Sequence, residues 1–253
     1  MPKSPVPHRS LPQPGESSER QLIERWEKRV FEPVVIAVFC GGYAAMEWAR
    51  HFVTKWPPPW VFTAMFLLYA AFAGWRMWSV RPEVKQRQQG MRGERIVGQM
   101  LEDLRLFGCK VYHDVCEDNY NIDHVIIGPH GVFSVETKAI SKPEGDARVV
   151  FDGEEVTVAG RKPDRDPIVQ SSACARRVRE ILREYSGIDQ RVTPVVLYVG
   201  WFVESRVPRS DVIVMNPIHF LQRFDRMRDP ETLDTVLVNQ LANNFERYLR
   251  SKP

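Results

Sequence analysis

Two short runs, Ile122-Asp123-His124-Val125-Ile126-Ile127 and Gly131-Val132-Phe133-Ser134-Val135-Glu136-Thr137-Lys138, decide the fold of this chain. Both are rich in β-branched and aromatic residues, and Gly128-Pro129-His130-Gly131 between them has the composition of a turn. The pattern predicts an antiparallel hairpin. If the turn centres on Pro129 and His130, Asp123 faces Glu136 across the ladder and Lys138 projects to the same face.

Opposed carboxylates destabilise a sheet unless a cation lies between them. Hard divalent cations take oxygen ligands, usually one or two carboxylates with water and substrate phosphate. Asp123 and Glu136 are therefore candidate ligands of Mg²⁺ or Mn²⁺. Lys138 is the candidate to orient an attacking water or to neutralise charge during phosphodiester hydrolysis. The alternative is an exposed salt bridge between Glu136 and Lys138 on an edge hairpin, with no chemical role.

The order of four short motifs resembles the nuclease-related domain (NERD) family of the PD-(D/E)xK nuclease superfamily. The motifs are Arg92-Gly93-Glu94, Ile122-Asp123-His124, Val135-Glu136-Thr137-Lys138 and Pro167-Ile168-Val169-Gln170. The resemblance implies an α/β fold with a restriction-endonuclease-like mixed β-sheet core flanked by helices. It also implies metal-dependent cleavage of nucleic acid, DNA more than RNA. The longer, charged connection after Lys138 departs from the family pattern.

Two further residues join the site by this resemblance. Glu94 would be an additional acid that reaches the metal from a helix, and Gln170 would position water or phosphate. The residues themselves leave alternatives open. Glu94 occupies the predicted first turn of an amphipathic helix closed by Gly108, where an acid suits the helix dipole. Asp166-Pro167 predicts the cap and first residue of another helix, so Gln170 falls in its first turn, where a solvated glutamine is also ordinary.

The overall charge does not by itself indicate a nucleic-acid-binding protein. The 35 Lys and Arg residues and the 32 Asp and Glu residues leave a net charge of only +3 in 253 residues. Local charge is more informative. Arg176 and Arg177, on the helix that follows Gln170, are candidate contacts to substrate phosphates, and the alternative is a solvated helix face. The four cysteines show no disulfide-framework spacing, which favours a reducing compartment.

The amino-terminal third has the pattern of a membrane anchor. Residues 1–32 are polar, and the first twenty or so are expected to be disordered. Val34–Met46 and Trp60–Trp75 are uncharged apolar runs joined through Pro57-Pro58-Pro59, so we predict a transmembrane helical hairpin within residues 33–80. More cations flank its outer ends than its loop, which predicts a multi-pass inner-membrane protein with both termini cytoplasmic. The alternative is a buried apolar hairpin in a soluble domain.

The remaining pattern completes an α/β domain over residues 84–226. Val149–Phe151 and Val156–Val158 predict a second hairpin, and Val192–Val199 and Val212–Met215 predict buried strands that extend the sheet. Helices are expected over Pro217–Phe224 and, within the carboxy-terminal segment 227–253 packed on the domain, over Glu231–Leu249. The sequence thus predicts a membrane-anchored, metal-dependent nuclease. The alternative is an inactive nuclease-fold module that binds nucleic acid or serves as a protein scaffold at the membrane.

Overall fold

The computed structural model describes residues 13–14, 19, 23, 26–53, 59–117, 120–143, 145, 147–226 and 232–252. Most of the segment predicted to be disordered lies outside these residues, as do Pro57 and Pro58 of the predicted connection. The chain divides into two compact units, the first over residues 18–88 and the second over residues 1–17 and 89–253. Each unit is described by itself below.

The first unit is an antiparallel helical hairpin. A π-helical turn, Glu27–Phe31, leads into α1, Glu32–His51, and α2 runs over Trp60–Glu102. Between the helices, the Tyr43 and Phe62 rings pack edge to face with centroids 5.0 Å apart, and Trp48 Nε1 donates to Thr63 Oγ1 at 2.8 Å. Two helical segments, Arg29–His51 and Trp60–Phe107, are long and apolar enough to cross a membrane, judged by length and composition alone.

Helix α2 corrects one prediction. We expected a separate helix with Glu94 in its first turn, but α2 begins at Trp60 and Glu94 lies in its interior. The residues between Arg81 and Gly93 are mostly strong helix formers, and Pro82 is accommodated without ending the helix. The helix dipole therefore does not account for an acid at position 94.

The second unit is built on a five-stranded mixed sheet with the strand order β1-β2-β3-β6-β8. Its strands are β1 Lys110–Cys116, β2 Asn121–Gly128, β3 Gly131–Lys138, β6 Val192–Tyr198 and β8 Ile213–Met215. The pairs β1–β2 and β2–β3 are antiparallel, whereas β3–β6 and β6–β8 are parallel. The predicted first hairpin and the two predicted strands form, but β8 is an edge strand that is only partly buried, not a buried one. Strand β1 is an edge strand that the sequence pattern did not single out.

Helices cover both faces of this sheet. Helix α3, Pro167–Ser186, and helix α5, Thr235–Ser251, pack on one face. The end of α2 and helix α4, Pro217–Arg223, with the 3₁₀ turn Phe224–Arg226, pack on the other. Helix α5 begins later than Glu231 because the Asp234 side chain caps it, accepting from the Leu237 N–H at 2.7 Å. The mixed α/β architecture is confirmed at this level of detail.

The second predicted hairpin forms, but in a different sheet. Strands β4, Val149–Phe151, and β5, Val156–Val158, pair antiparallel, and β4 pairs in parallel with β7, Val203–Ser205. The result is a small sheet with the order β5-β4-β7. The expectation of one continuous sheet is therefore wrong, because the edge of β4 that β5 leaves open is closed by β7.

A buried carboxylate fastens α5 to the domain. Glu117, whose side chain is 7% exposed, accepts from Arg177 Nε at 2.9 Å, from Lys252 Nζ at 2.7 Å and from the Tyr248 hydroxyl. Burial raises the pKa of Glu117, but the hydrogen bonds from Lys252, Tyr248 and Arg177 outweigh it, so the pKa lies below its usual value. The ionised carboxylate is the form that the fold stabilises.

We expect Glu117→Gln to lower the free energy of unfolding by about 1–3 kcal/mol, because three donors lose a charged acceptor. A carboxyl group with a lowered folded pKa stabilises the fold above its unfolded pKa, and this contribution is lost as the pH falls through the folded pKa. In urea titrations the difference between parent and variant should be largest above about pH 4.3 and should narrow at lower pH. A difference that grows on acidification would contradict this assignment.

Candidate active site

The β2–β3 hairpin has the predicted register. His124 faces Val135, Ile126 faces Phe133, and Gly128 faces Gly131, so the turn centres on Pro129 and His130. Continued by one position, this register sets Asp123 opposite Glu136. The Thr137 N–H donates to Asp123 Oδ2 at 2.7 Å, which fixes one carboxylate oxygen against β3. Opposed residues of an antiparallel pair project to the same face, so both carboxylates lie on the face covered by α3.

Lys138, Glu136 and Gln170 form a closed triangle of hydrogen bonds. Lys138 Nζ donates to Glu136 Oε1 at 2.8 Å and to Gln170 Oε1 at 2.9 Å, and Gln170 Nε2 donates to Glu136 Oε1 at 2.7 Å. Strand β3 is interior to the sheet, and the Glu136 side chain is only 7% exposed. The alternative of a solvated salt bridge on an edge hairpin is therefore wrong.

Gln170 reaches this triangle because of how α3 starts. Asp166 caps the helix by accepting from the Ile168 N–H at 2.8 Å, and Pro167 occupies the first helical position, as predicted. Gln170 then lies in the first turn and points its amide at Lys138 and Glu136. It is half-buried and fully engaged, so the alternative of a solvated glutamine does not describe it.

The carboxyl group of Asp123 lies in an unfavourable place for a negative charge. Burial, followed by the charges of Glu136 and Glu94, raises its pKa well above the usual value, although the Thr137 N–H and Lys138 oppose the shift. A divalent cation beside these acids would offset both burial and repulsion. The electrostatics of the site thus favour a bound cation.

Glu94 comes near Asp123 through a close helix approach at Gly93. A Cβ atom at position 93 would lie 2.2 Å from Ala139 Cβ, so only glycine lets α2 pass this close to the end of β3. The charge of Glu94 is one of the causes that raise the pKa of Asp123. The Gly-Glu pair therefore has a packing reason and an electrostatic consequence at the same place.

The carboxylate oxygens of Asp123 and Glu136 are donors of the kind that a hard cation takes. Among the residues that the structure describes, no group of three or more His, Cys, Asp and Glu side chains is arranged to hold a metal ion. Mg²⁺ commonly takes only one or two carboxylates and keeps water as its other ligands. Asp123 Oδ1 and Glu136 Oε2 accept no hydrogen bond from any described residue, so each carboxylate retains an oxygen for such a cation.

The predicted phosphate contacts on α3 are not brought to the site. Arg177 is held by Glu117, and Arg176 is exposed beside Arg179, Glu180 and Arg183. Arg177 lies seven residues beyond Gln170, about 10 Å along the helix. Neither arginine contacts Asp123, Glu136, Lys138 or Gln170 in the part of the chain that the structure describes.

Two residues near the carboxylates were missed by the sequence analysis. Cys174 lies one turn after Gln170, and burial, with the charges of Glu136 and Asp123, raises the pKa of its thiol to about 12. Tyr198 pairs with Lys138 in the β3–β6 ladder, and its buried hydroxyl finds no hydrogen-bond partner among the described residues. Helical spacing from Gln170 was the available signal for Cys174, whereas the position of Tyr198 depends on the pairing of two distant strands.

Comparison with known proteins adds one match. Residues 89–199 match the family model of the nuclease-related domain, and this range contains all four motifs. No curated protein and no solved structure matches the chain, so the restriction-endonuclease-like detail of the fold stays a prediction. The predicted resemblance to the nuclease-related domain (NERD) family is thereby confirmed over residues 89–199.

Proposed function

We propose that this protein is a metal-dependent nuclease that hydrolyses phosphodiester bonds of nucleic acid, DNA rather than RNA, and that the residue 33–80 hairpin anchors it in the inner membrane. The observation that carries the proposal is the placement of Asp123, Glu136 and Lys138 on one face of the hairpin, with Gln170 bonded to two of them. The choice of DNA rests on the family resemblance.

The residues have separate tasks in this proposal. Asp123 and Glu136 would hold Mg²⁺ or Mn²⁺, which when bound activates water and polarises phosphate. Lys138 carries a positive charge that its bonds to Glu136 and Gln170 fix in direction, so it can stabilise negative charge on a phosphate without reorganising. Gln170 holds both Lys138 and Glu136 and sets their spacing. Glu94 adds negative charge that favours a cation at Asp123.

Removal of the ammonium group gives the first test. We expect Lys138→Met to lower kcat for DNA cleavage by about 10²–10³-fold, the usual effect of losing one preorganised electrostatic contact. Asp123→Asn and Glu136→Gln should lose activity as well. Lys142→Met, at an exposed lysine after β3, is the matched control and should cleave like the parent.

Single-stranded DNA, duplex DNA and RNA should be assayed with Mg²⁺ and with Mn²⁺. Undiminished cleavage by Lys138→Met would remove the proposed site. A folded parent chain that cuts none of the three substrates with either metal would favour the inactive nuclease-fold module instead.

The raised pKa of Asp123 predicts that the carboxylate proposed to bind the metal lowers the stability of the metal-free protein. Between the ordinary Asp value and the raised folded value, the folded protein binds more protons than the unfolded chain, so ionisation of Asp123 lowers stability as the pH rises. In the presence of a chelator, Asp123→Asn should therefore gain Tm relative to the parent as the pH rises from about 4 to 7. Addition of Mg²⁺ should raise the Tm of the parent more than that of the variant.

Asp164→Asn, at an exposed carboxylate outside the site, is the matched control and should show neither effect. An Asp123→Asn variant that is less stable than the parent at every pH would show that the carboxylate is not under electrostatic strain.

Exposed apolar side chains and paired charges support the membrane anchor. Large side chains stay exposed along both helices, among them Phe39 at 74% and Leu68 at 72%. Arg29 and Glu47 are separated by about 27 Å of helix, close to the roughly 30 Å hydrocarbon core of a bilayer. Arg29 is paired with Glu83 at 2.9 Å, and buried Glu47 is paired with Arg50 at 2.9 Å. Cations at the outer ends, including Arg76 and Arg81, favour cytoplasmic termini and a cytoplasmic nuclease domain.

We expect the full chain to sediment with membranes and to need detergent for extraction. The double variant Phe39→Lys/Leu68→Lys should shift it towards the soluble fraction, because a lysine at the centre of a span costs about 2.5–3.5 kcal/mol. Leu106→Lys, at a leucine that is 86% exposed beyond α2, is the control and should not shift it. A parent chain that is soluble without detergent would rule out the anchor.

A further inference from the structure

A large groove lies along the free edge of the main sheet, away from the carboxylates. Its floor is β8, its walls include Ser205 of β7 and the loop that follows, and Arg223 and Arg226 border it from the end of α4. Its volume is about 1130 Å³. That exceeds the roughly 300–1,000 Å³ of pockets that enclose small molecules, so the groove suits a segment of a polymer.

Four arginines give the groove a strong positive charge. Among the described residues that line it are Arg191, Arg209, Arg223 and Arg226, with Asp211 as the one acidic residue of that described set. Asp211 is 97% exposed and pairs with Arg191 at 3.2 Å, a solvated pair that contributes little and is easily exchanged. Arg209, Arg223 and Arg226 make no ion pair with any residue that the structure describes. Guanidinium groups bind phosphate oxygens through paired donors, so the lining matches a polyanion.

The edge of the sheet adds donors of a second kind. Strand β8 pairs with β6 and with no other described strand, which leaves one edge of its backbone open. Open edges present unpaired N–H groups, and positive charge nearby keeps other protein strands away. An acidic extended strand with its own phosphates or carboxylates is the occupant that such an edge admits.

We propose that this arginine groove, formed by Arg191, Arg209, Arg223, Arg226 and the open edge of β8, binds a single-stranded segment of the nucleic acid through its phosphate backbone. The inference deepens the proposed function, on which it rests, by placing substrate binding on the edge of the sheet instead of on α3. It also supplies phosphate-binding residues in place of Arg177, which is paired with Glu117.

The groove and the carboxylates lie at different places on the same sheet. Phe133 of β3 lines the groove and precedes Glu136 by three residues, about 10 Å along the strand, on the opposite face. Strand β8 is two positions from β3, again about 10 Å. A flexible single strand that passes around the edge of β8 can span these distances, whereas a stiff duplex cannot bend so tightly. The groove therefore favours a single-stranded segment adjoining the cut.

Binding is tested separately from cleavage. The full chain in detergent, carrying Asp123→Asn and kept in chelator, is titrated into a fluorescently labelled oligothymidylate over a series of salt concentrations. Arg209→Gln/Arg223→Gln should raise the Kd by about tenfold and reduce the slope of log K against log salt by about 1.4, the loss of two phosphate contacts. Lys110→Gln/Arg183→Gln, which removes equal charge at two exposed positions outside the groove, should leave both unchanged.

The outcomes separate this inference from the proposed function. It is overturned if the groove variant binds like the parent, if the control variant weakens binding equally, or if the groove variant loses binding to phosphatidylglycerol vesicles while retaining the oligonucleotide. If the parent with its native Asp123 cuts DNA but the groove substitutions leave binding unchanged, the proposed function stands and the arginine groove is ruled out as the binding site. If the parent binds the oligonucleotide through the groove but cuts no substrate, the groove is supported as a binding site and the nuclease activity is ruled out.

Discussion

The opposed carboxylates of half-buried Asp123 on β2 and buried Glu136 on β3 are the constraint on which the rest of the second unit depends. Asp123 and Glu136 face each other by register, and burial makes their repulsion expensive. The fold offsets part of this cost with the Lys138 ammonium, the Gln170 amide and the Thr137 N–H. What remains is an excess of negative charge that a divalent cation is suited to neutralise.

Several parts of the chain that are distant in sequence approach these carboxylates. Gly93 allows α2 to pass against Ala139, which brings the charge of Glu94 within range of Asp123. Asp166 and Pro167 start α3 at the position from which Gln170 reaches the triangle. The parallel pairing of β3 with β6 then sets Tyr198 beside Lys138 in the ladder. Each of these features is local, yet all of them bear on the surroundings of the same two carboxylates.

The arginines of this domain differ in whether an acidic side chain pairs with them. Two of the four arginines of α3 are held within the fold: Glu117 binds Arg177, and Asp189 binds Arg179 through two hydrogen bonds at 2.6 and 2.7 Å. In the groove at β8, Arg191 pairs with the exposed Asp211, whereas Arg209, Arg223 and Arg226 have no acidic partner among the described residues. Sequence counts treat the two groups alike, but only cations without internal partners are available to an external polyanion.

The sequence by itself determined the β2–β3 hairpin, its register and the identity of the polar residues on it. Alternating β-branched residues and a Gly-Pro turn specify such a hairpin locally, so Asp123 and Glu136 could be paired by counting from the turn. The capped start of α3 and the paired apolar helices were predictable for the same reason, since caps and hydrophobic runs act over a few residues.

Only the tertiary structure decided the rest, because it depends on contacts between distant segments. The second hairpin pairs with β7 in a separate sheet, and Glu94 lies within a long helix. Glu117 accepts a hydrogen bond from Arg177, which is sixty residues away in the sequence. The position of Tyr198 beside Lys138, where its hydroxyl has no hydrogen-bond partner among the described residues, and the groove at the edge of β8 arise in the same way. Local patterns specify which groups a strand or helix carries, whereas packing decides which of those groups meet and which stay available.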